Sequence, residues 1–305
     1  MQNYSEKNGN SENLKMNETA ILINVLDRPT EISLLLQSLR TSDYKKFDIF
    51  ILDDCSGNSL FNYHFFNCMI NRLKMEDHKV FIKRTDFNLG VTKARQEIVN
   101  WAMSINDYKY LCRLDDDTIL QPDYLSRLIN VIEQGYDMAT GVTVPMITPT
   151  FIRESKFLKG IANRVILDEE GNYIMNADDC GQEYTESVII PAHHFRSCCL
   201  YKSEIHKKAN YLPTRLSKNG FREEQIFSYR VLMAGFKIGC DTGAINYHLI
   251  CPSGGERPTM NLVPFNQQIL EEFTKENKEE LNKLFTHENM PDKLELQKEN
   301  NLVKK

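Results

Sequence analysis

The stretch Arg113–Ile119 reads RLDDDTI, three adjacent carboxylates at the end of an apolar run. Two further acidic groups share that setting: Asp53-Asp54 closes FDIFILDD, and Asp27 follows AILINVL. Carboxylates crowded together resist ionisation unless positive charge or hydrogen-bond donors relieve them. A hard divalent cation, Mg2+ or Mn2+, takes oxygen ligands and would supply that relief. The donors of a nucleoside would supply it too. A structural reading stays open for each group taken singly, because aspartate is a good N-cap for a following helix.

These groups need elements to bring them together. Residues 20–26, 47–54, 79–84, 108–114 and 137–145 are short apolar runs that suit strands buried on both faces. Between them, apolar residues recur at helical spacing. Ile32, Leu35, Leu36 and Leu39 follow Pro29, which is well placed for a first helical turn. Phe61, Phe65, Cys68, Met69 and Leu73 form a second series, and Val91, Ala94, Ile98 and Trp101 a third. Leu125, Leu128 and Ile132 follow Pro122 in a fourth. Strands and helices in alternation predict an α/β fold with a mixed, mostly parallel sheet flanked by helices. The ligand crevice of such a sheet lies beyond the carboxyl ends of its strands, where all three acidic groups fall.

The second half is less regular. Residues 146–187 show weak periodicity, 187–202 read as strand material, and 220–239 read as a helix ending at Gly235 followed by a strand. From about Asn266 the chain is polar and mixes both charges, the pattern of a solvated C-terminal helix. The first 18 residues are polar and read as a disordered tail.

Lys and Arg total 37 against 42 Asp and Glu, a net charge of −5, so no bulk basic excess points to nucleic acid. The eight cysteines include no C-x-x-C pair and sit mostly in apolar runs, which predicts free buried thiols in a reducing compartment. The N-terminus has no apolar signal region, and no apolar run reaches the length of a membrane span. The expected setting is cytoplasmic, with no transmembrane segment.

Four motifs in series carry a family resemblance. FILDDCSGN, FNLGVTKAR, RLDDDTILQPDYL and GFREEQIFSYRVLMAGFKIG resemble, in order, the strand-two, N-x-G…A-R, D-x-D and E-D-x-x-L-x-x-R…G segments of family 2 glycosyltransferases. The resemblance spans roughly residues 20–250 and implies a GT-A type, Rossmann-like fold. It implies a glycosyltransferase domain over 19–262, with a nucleotide-binding half (19–145) and an acceptor half (146–262), and a polar helical tail over 263–305. The implied reaction takes a sugar from a nucleotide sugar, UDP-linked, to an unidentified acceptor with Mn2+ or Mg2+ and inversion.

The resemblance also assigns residues. Asp117 is the implied metal ligand, Asp115 faces the ribose or the metal shell, and Asp116 takes either place or points away. Asp54 would accept from a uracil-type base, with Asp53 sharing that task or supporting the turn, and Arg95 would contact the nucleotide. Glu224 matches the second acid of the E-D pair and is the implied base, with Glu223 the other candidate. His248 follows the last strand, where some GT-A enzymes place a metal-bound histidine. Beyond the resemblance, Arg257 lies in a loop able to close over the diphosphate, Arg230 would bind phosphate or hold its helix, and His193 and His194 precede FRSCCLY, where small residues would border the acceptor or simply form a core strand. Two departures stand out: Asp27 where the family usually has Asn, and Glu224 where it has Asp. Two rivals remain at this level. A nucleotidyltransferase would want a glycine- and basic-rich loop where this chain has LDRPTE, and a non-catalytic nucleotide-sugar-binding module would not need both Asp117 and Glu224.

Overall fold

The computed structural model describes residues 16–146, 165–167, 173–175, 187–212, 215–251 and 262–285. The nucleotide-binding half runs β1 (Thr19–Val25), α1 (Pro29–Thr41), β2 (Phe47–Asp53), α2 (His64–Met75), β3 (Val80–Arg84), α3 (Val91–Ile105), β4 (Tyr110–Asp115), β5 (Thr118–Leu120), α4 (Tyr124–Glu133) and β6 (Met138–Pro145). A short antiparallel pair follows, β7 (Val165–Leu167) with β8 (Tyr173–Met175). The chain continues through β9 (Ile189–Ala192), β10 (Cys199–Lys202), α5 (Glu204–Lys208), α6 (Glu223–Met233) and β11 (Ile238–His248) to α7 (Leu262–Glu276) and α8 (Lys278–Phe285).

The main sheet is mixed, in the order β3-β2-β1-β4-β10-β6-β11-β5, with β9 also pairing β11. The strands β3, β2, β1 and β4 are mutually parallel, as are β6 and β11. The strand β10 runs antiparallel between β4 and β6. Strand side chains alternate between faces, and helices cover both. Ala20, Leu22, Phe50 and Leu52 pack on one face with α3, α6 and the C-terminal helices. Ile21, Ile23, Ile49 and Ile51 pack on the other with α1, α2 and α4. This double burial is why β1 and β2 read as continuous apolar runs.

Register decides where the acids gather. Val25 pairs with Asp53 and Asn24 with Asp115, so the ends of β1, β2 and β4 lie side by side. The short strand β5 comes straight after the aspartates and pairs antiparallel with the end of β11, Thr118 opposite His248. Three residues are too few to show a pattern, so the sequence does not signal β5. The run 187–202 is two strands, β9 and β10, parted by a loop whose Ser197 has a positive φ of 51°.

Two expectations are corrected. The polar N-terminal tail does not extend to residue 18, since Asn17 Nδ2 donates to Asp48 Oδ1 at 2.7 Å and to the Phe47 carbonyl at 3.1 Å. Residues 1–15 and the Arg257 loop lie outside the described residues. The C-terminal helix is not simply solvated: Leu270, Leu281 and Phe285 join the main core, and the Phe285 ring sits 5.2 Å from that of Tyr229 on α6. Asn266 is fully buried. The described cysteines are all free thiols. No helix among the described residues is long and apolar enough to cross a membrane.

Candidate active site

A cavity of about 280 Å3 opens at the carboxyl ends of β1, β2 and β4. Its walls carry Asp54, Arg95, the three aspartates Asp115–Asp117, Glu223, Glu224 and His248. Asp53 does not line it, and the reason is strand alternation. Adjacent residues at a strand end point to opposite sides, so only one of Asp53 and Asp54 faces the cavity. The Asp53 carboxylate accepts from Ser56 N (2.8 Å) and Arg84 Nη1 (3.1 Å), and it supports the turn after β2. Asp54 accepts from Leu89 N (2.8 Å), Gly90 N (3.0 Å) and Thr85 Oγ1 (3.2 Å), and so fixes the loop before α3.

Asp27 is also a turn residue. It has a φ of 54°, and its Oδ1 accepts from Gly57 N at 2.6 Å. Aspartate and asparagine tolerate that backbone region better than most residues, so the departure from the family pattern keeps the turn. Arg230 lies away from the cavity, where Nη1 donates to the Asn210 carbonyl at 3.0 Å and the guanidinium sits 5.6 Å from the Phe273 ring. His193 and His194 are buried in the β9–β10 loop and do not line the cavity.

The aspartate cluster is held by cations already in the chain. Arg28 Nη1 donates to Asp116 Oδ1 at 2.7 Å and lies 3.1 Å from Asp117 Oδ2. Arg95 pairs with Asp115 and also donates to the Leu114 carbonyl at 3.2 Å. Asp117 Oδ1 is 3.1 Å from His248 Nε2, and Asp117 Oδ2 accepts from Cys251 N at 3.2 Å. Burial alone would raise the Asp117 pKa, but the His248, Arg28 and Cys251 contacts outweigh it and lower the value. Burial disfavours the His248 imidazolium, yet the Asp117 contact wins and raises its pKa. Asp116 is pushed up to about 7 by burial, with Asp117 and Asp115 adding to the Arg28-opposed rise.

The second pair of acids is split by a buried arginine that the sequence reading left without a role. Arg113 and Glu223 are each only 2% exposed, with Nη1 donating to Oε2 at 2.9 Å and Nη2 lying 2.5 Å from Oε1. The same Nη2 lies 3.5 Å from both Asp115 Oδ1 and Glu224 Oε1, so one guanidinium spans the two acidic clusters. Glu223 is thereby committed to an ion pair. Glu224 keeps a side chain 26% exposed, and burial together with the Glu223 charge raises its pKa well above the carboxylate range. Asn24, Asn88 and Lys218 also line the cavity and went unassigned. A signal was present for Asn24, as it was for Arg113: each is a lone polar residue inside an apolar run. Asn24 Nδ2 and Asn88 Oδ1 are buried without a hydrogen-bond partner, which marks them as groups for a ligand to satisfy.

Residues 20–177, just over half of the chain, match the family described as Glycosyl transferase family 2. The chain belongs to glycosyl transferase family 2. The fold of this family 2 chain is that of GT-A glycosyltransferases. S. aureus TarS 1–349 aligns with a TM-score of 0.52 at 15% identity, covering 76% of this chain and 60% of that one. TarS 1–349 in complex with UDP-GlcNAc aligns at 0.55 and 12% identity, covering 84% and 66%. The mannosyltransferase PcManGT from Pyrobaculum calidifontis, in complex with GDP-Man and Mn2+, aligns at 0.53 and 11% identity, covering 87% and 65%. The chain spans less than two thirds of these structures. A search of curated proteins finds no match to this sequence.

Proposed function

We propose that this family 2 enzyme transfers a sugar from a UDP-linked donor to an acceptor hydroxyl by single displacement with inversion, and that Glu224 is the base. The observation that carries the reading is the unequal state of two neighbouring acids. Glu223 is locked on Arg113, while Glu224 is partly open to the cavity with a raised pKa, as a general base needs. In the reaction the acceptor oxygen forms a bond to the anomeric carbon and gives its proton to Glu224. The bond from that carbon to the diphosphate oxygen breaks, and the electron pair stays on the diphosphate.

The remaining assignments follow from chemistry at each position. Asp54 and the unsatisfied Asn88 amide oxygen offer acceptors to the N–H of a base. Asp115, oriented by Arg95, suits a ribose hydroxyl. Arg28 and Lys218 bring positive charge to the wall that a diphosphate would meet. Asp117 with His248 offers one oxygen and one nitrogen 3.1 Å apart, a donor set that suits Mn2+. Among the described residues no group of three metal-ligating side chains occurs. Two protein ligands fit a cation that completes its shell with phosphate oxygens and water. Bound there, such a cation would stabilise charge on the departing diphosphate as a Lewis acid. The Mn2+ held by PcManGT and the UDP-GlcNAc held by TarS support this choice of cation and nucleotide.

A thermal-shift panel of UDP- and GDP-sugars with and without Mn2+ tests the donor, because a tighter ligand shifts the melting temperature further. Asp117→Ala is expected to lose the metal-dependent part of the shift. Glu224→Gln is expected to keep the donor shift and lose transfer, and full transfer by that variant would sink the assignment of the base.

A further inference from the structure

Two arginines near Glu224 have no ion-pair partner among the described residues. Arg196 sits in the loop between β9 and β10, where its carbonyl accepts from Thr143 Oγ1 at 3.3 Å. Arg222 is the residue before α6 and has a φ of 79°, a left-handed backbone. Among the described residues, neither guanidinium has a carboxylate within ion-pair distance or a hydrogen-bond acceptor. Every other described arginine has one or both. Arg222 Nε is buried without a partner, and its guanidinium lies 4.5 Å from the Phe221 ring. His194, fully buried between the same elements, also leaves Nε2 without a partner.

The loop that carries Arg196 packs on α6 and on the arginine that binds both glutamates: the Phe195 ring lies 6.3 Å from that of Phe227 and 4.9 Å from the Arg113 guanidinium. Burial lowers the pKa of both arginines, the Arg222 charge lowers that of Arg196 further, and Glu224 is the opposing charge that both feel. The two guanidiniums together help hold His194 neutral, down at about 4, after burial itself. Half-buried cations without a partner are costly, and they persist where a ligand supplies the missing charge. The donor diphosphate is not that ligand. The cavity wall beside the aspartates carries Arg28 and Lys218 and includes neither Arg196 nor Arg222.

We propose that Arg196 and Arg222 form an oxyanion subsite on the acceptor side of Glu224, so that the acceptor of this enzyme carries a phosphate or carboxylate group close to its reacting hydroxyl. The inference rests on Glu224 being the acceptor-side base. A planar guanidinium presents paired N–H donors that match phosphate and carboxylate oxygens. Two of them hold the anion, and the base two residues after Arg222 meets the adjacent hydroxyl.

The test is titration calorimetry on the full chain saturated with UDP and Mn2+, using four small probes. Glycerol 3-phosphate is compared with glycerol, and glucuronate with glucose, so that the two anion types are read separately. At least one anionic probe is expected to bind and its neutral analogue to fail. Arg196→Gln and Arg222→Gln are each expected to weaken that binding about tenfold or more, the loss of a charge-assisted hydrogen bond. The UDP thermal shift checks that each variant is folded, and Arg196→Gln stands alone if the left-handed position 222 disturbs folding. The proposal is overturned if neither anionic probe binds the wild type, or if binding survives Arg196→Gln unchanged. It is equally overturned if either variant loses the UDP shift while staying folded by circular dichroism, since the arginine then serves the donor. Failure of the wild type to bind any nucleotide would instead strike the reading of the whole site.

Discussion

Arg113→Met is the sharpest probe of how the two acidic clusters are joined. The Arg113–Glu223 pair is buried on both sides, with contacts of 2.5 and 2.9 Å. Two unit charges about 3 Å apart attract by roughly 5 kcal/mol at an effective dielectric near 20. Much of that attraction is offset by the cost of taking both ions out of water. Removing one partner leaves the other buried and unpaired, and such losses run to about 3–5 kcal/mol. Arg113→Met is therefore expected to lower stability by that amount. Replacing the carboxylate as well, in Arg113→Met/Glu223→Gln, removes the stranded charge and is expected to recover about 1–2 kcal/mol of it. Urea unfolding followed by the one tryptophan reads this directly, because Trp101 packs edge-on against the core residue Phe50, with ring centroids 5.1 Å apart. The single variant should move the midpoint by roughly 1 M or more. A loss below about 1 kcal/mol, or a double variant no more stable than the single, would refute the claim that this pair is a buried, mutually dependent unit.

Four further outcomes are expected. Transfer should fall as pH drops through the raised pKa of Glu224, well above the value of about 4.3 for a free glutamate, and a pH–rate profile whose acid limb sits at that ordinary value would exclude it as base. The same raised pKa makes the folded chain lose stability as pH rises through it, because the unfolded carboxyl has already ionised. Gly90→Ala should cost about 1–2 kcal/mol and weaken nucleotide binding, since Gly90 has a φ of 80° and a new Cβ would lie 3.0 Å from the Lys218 Cα; binding isotherms and urea melts check both effects. Asn266→Leu should loosen the cavity wall at 217–221, because Asn266 donates to Ser217 Oγ and Asn219 Oδ1 at 2.8 and 2.9 Å. Faster amide exchange confined to that segment is the expected signature, and unchanged exchange would show that α7 does not clamp it.

Much of the frame was legible because burial on two faces forces continuous apolar runs. The runs at β1, β2 and β4 located the strands, and their ends located the acids. Residues 113–117 and 53–54 therefore fell at the crevice by sequence pattern alone. The C-terminal helices read as solvated because helices whose buried apolar residues, among those described, are Leu270, Leu281 and Phe285 keep a largely polar composition. Composition reports the average face of a helix, and packing depends on its one apolar edge.

The sequence by itself determined the alternation of strands and helices, the carboxyl-end placement of three acidic groups and the order of the four family motifs. The tertiary structure decided which member of each pair does what. Strand alternation turned Asp53 into the turn and Asp54 into the cavity. Arg113, 110 residues away along the chain, engaged Glu223 and left Glu224 available. The β5–β11 pairing brought His248 to Asp117 across 131 residues. These choices depend on partners distant in sequence, and a local pattern of residue types carries no information about which distant side chain will fold against it.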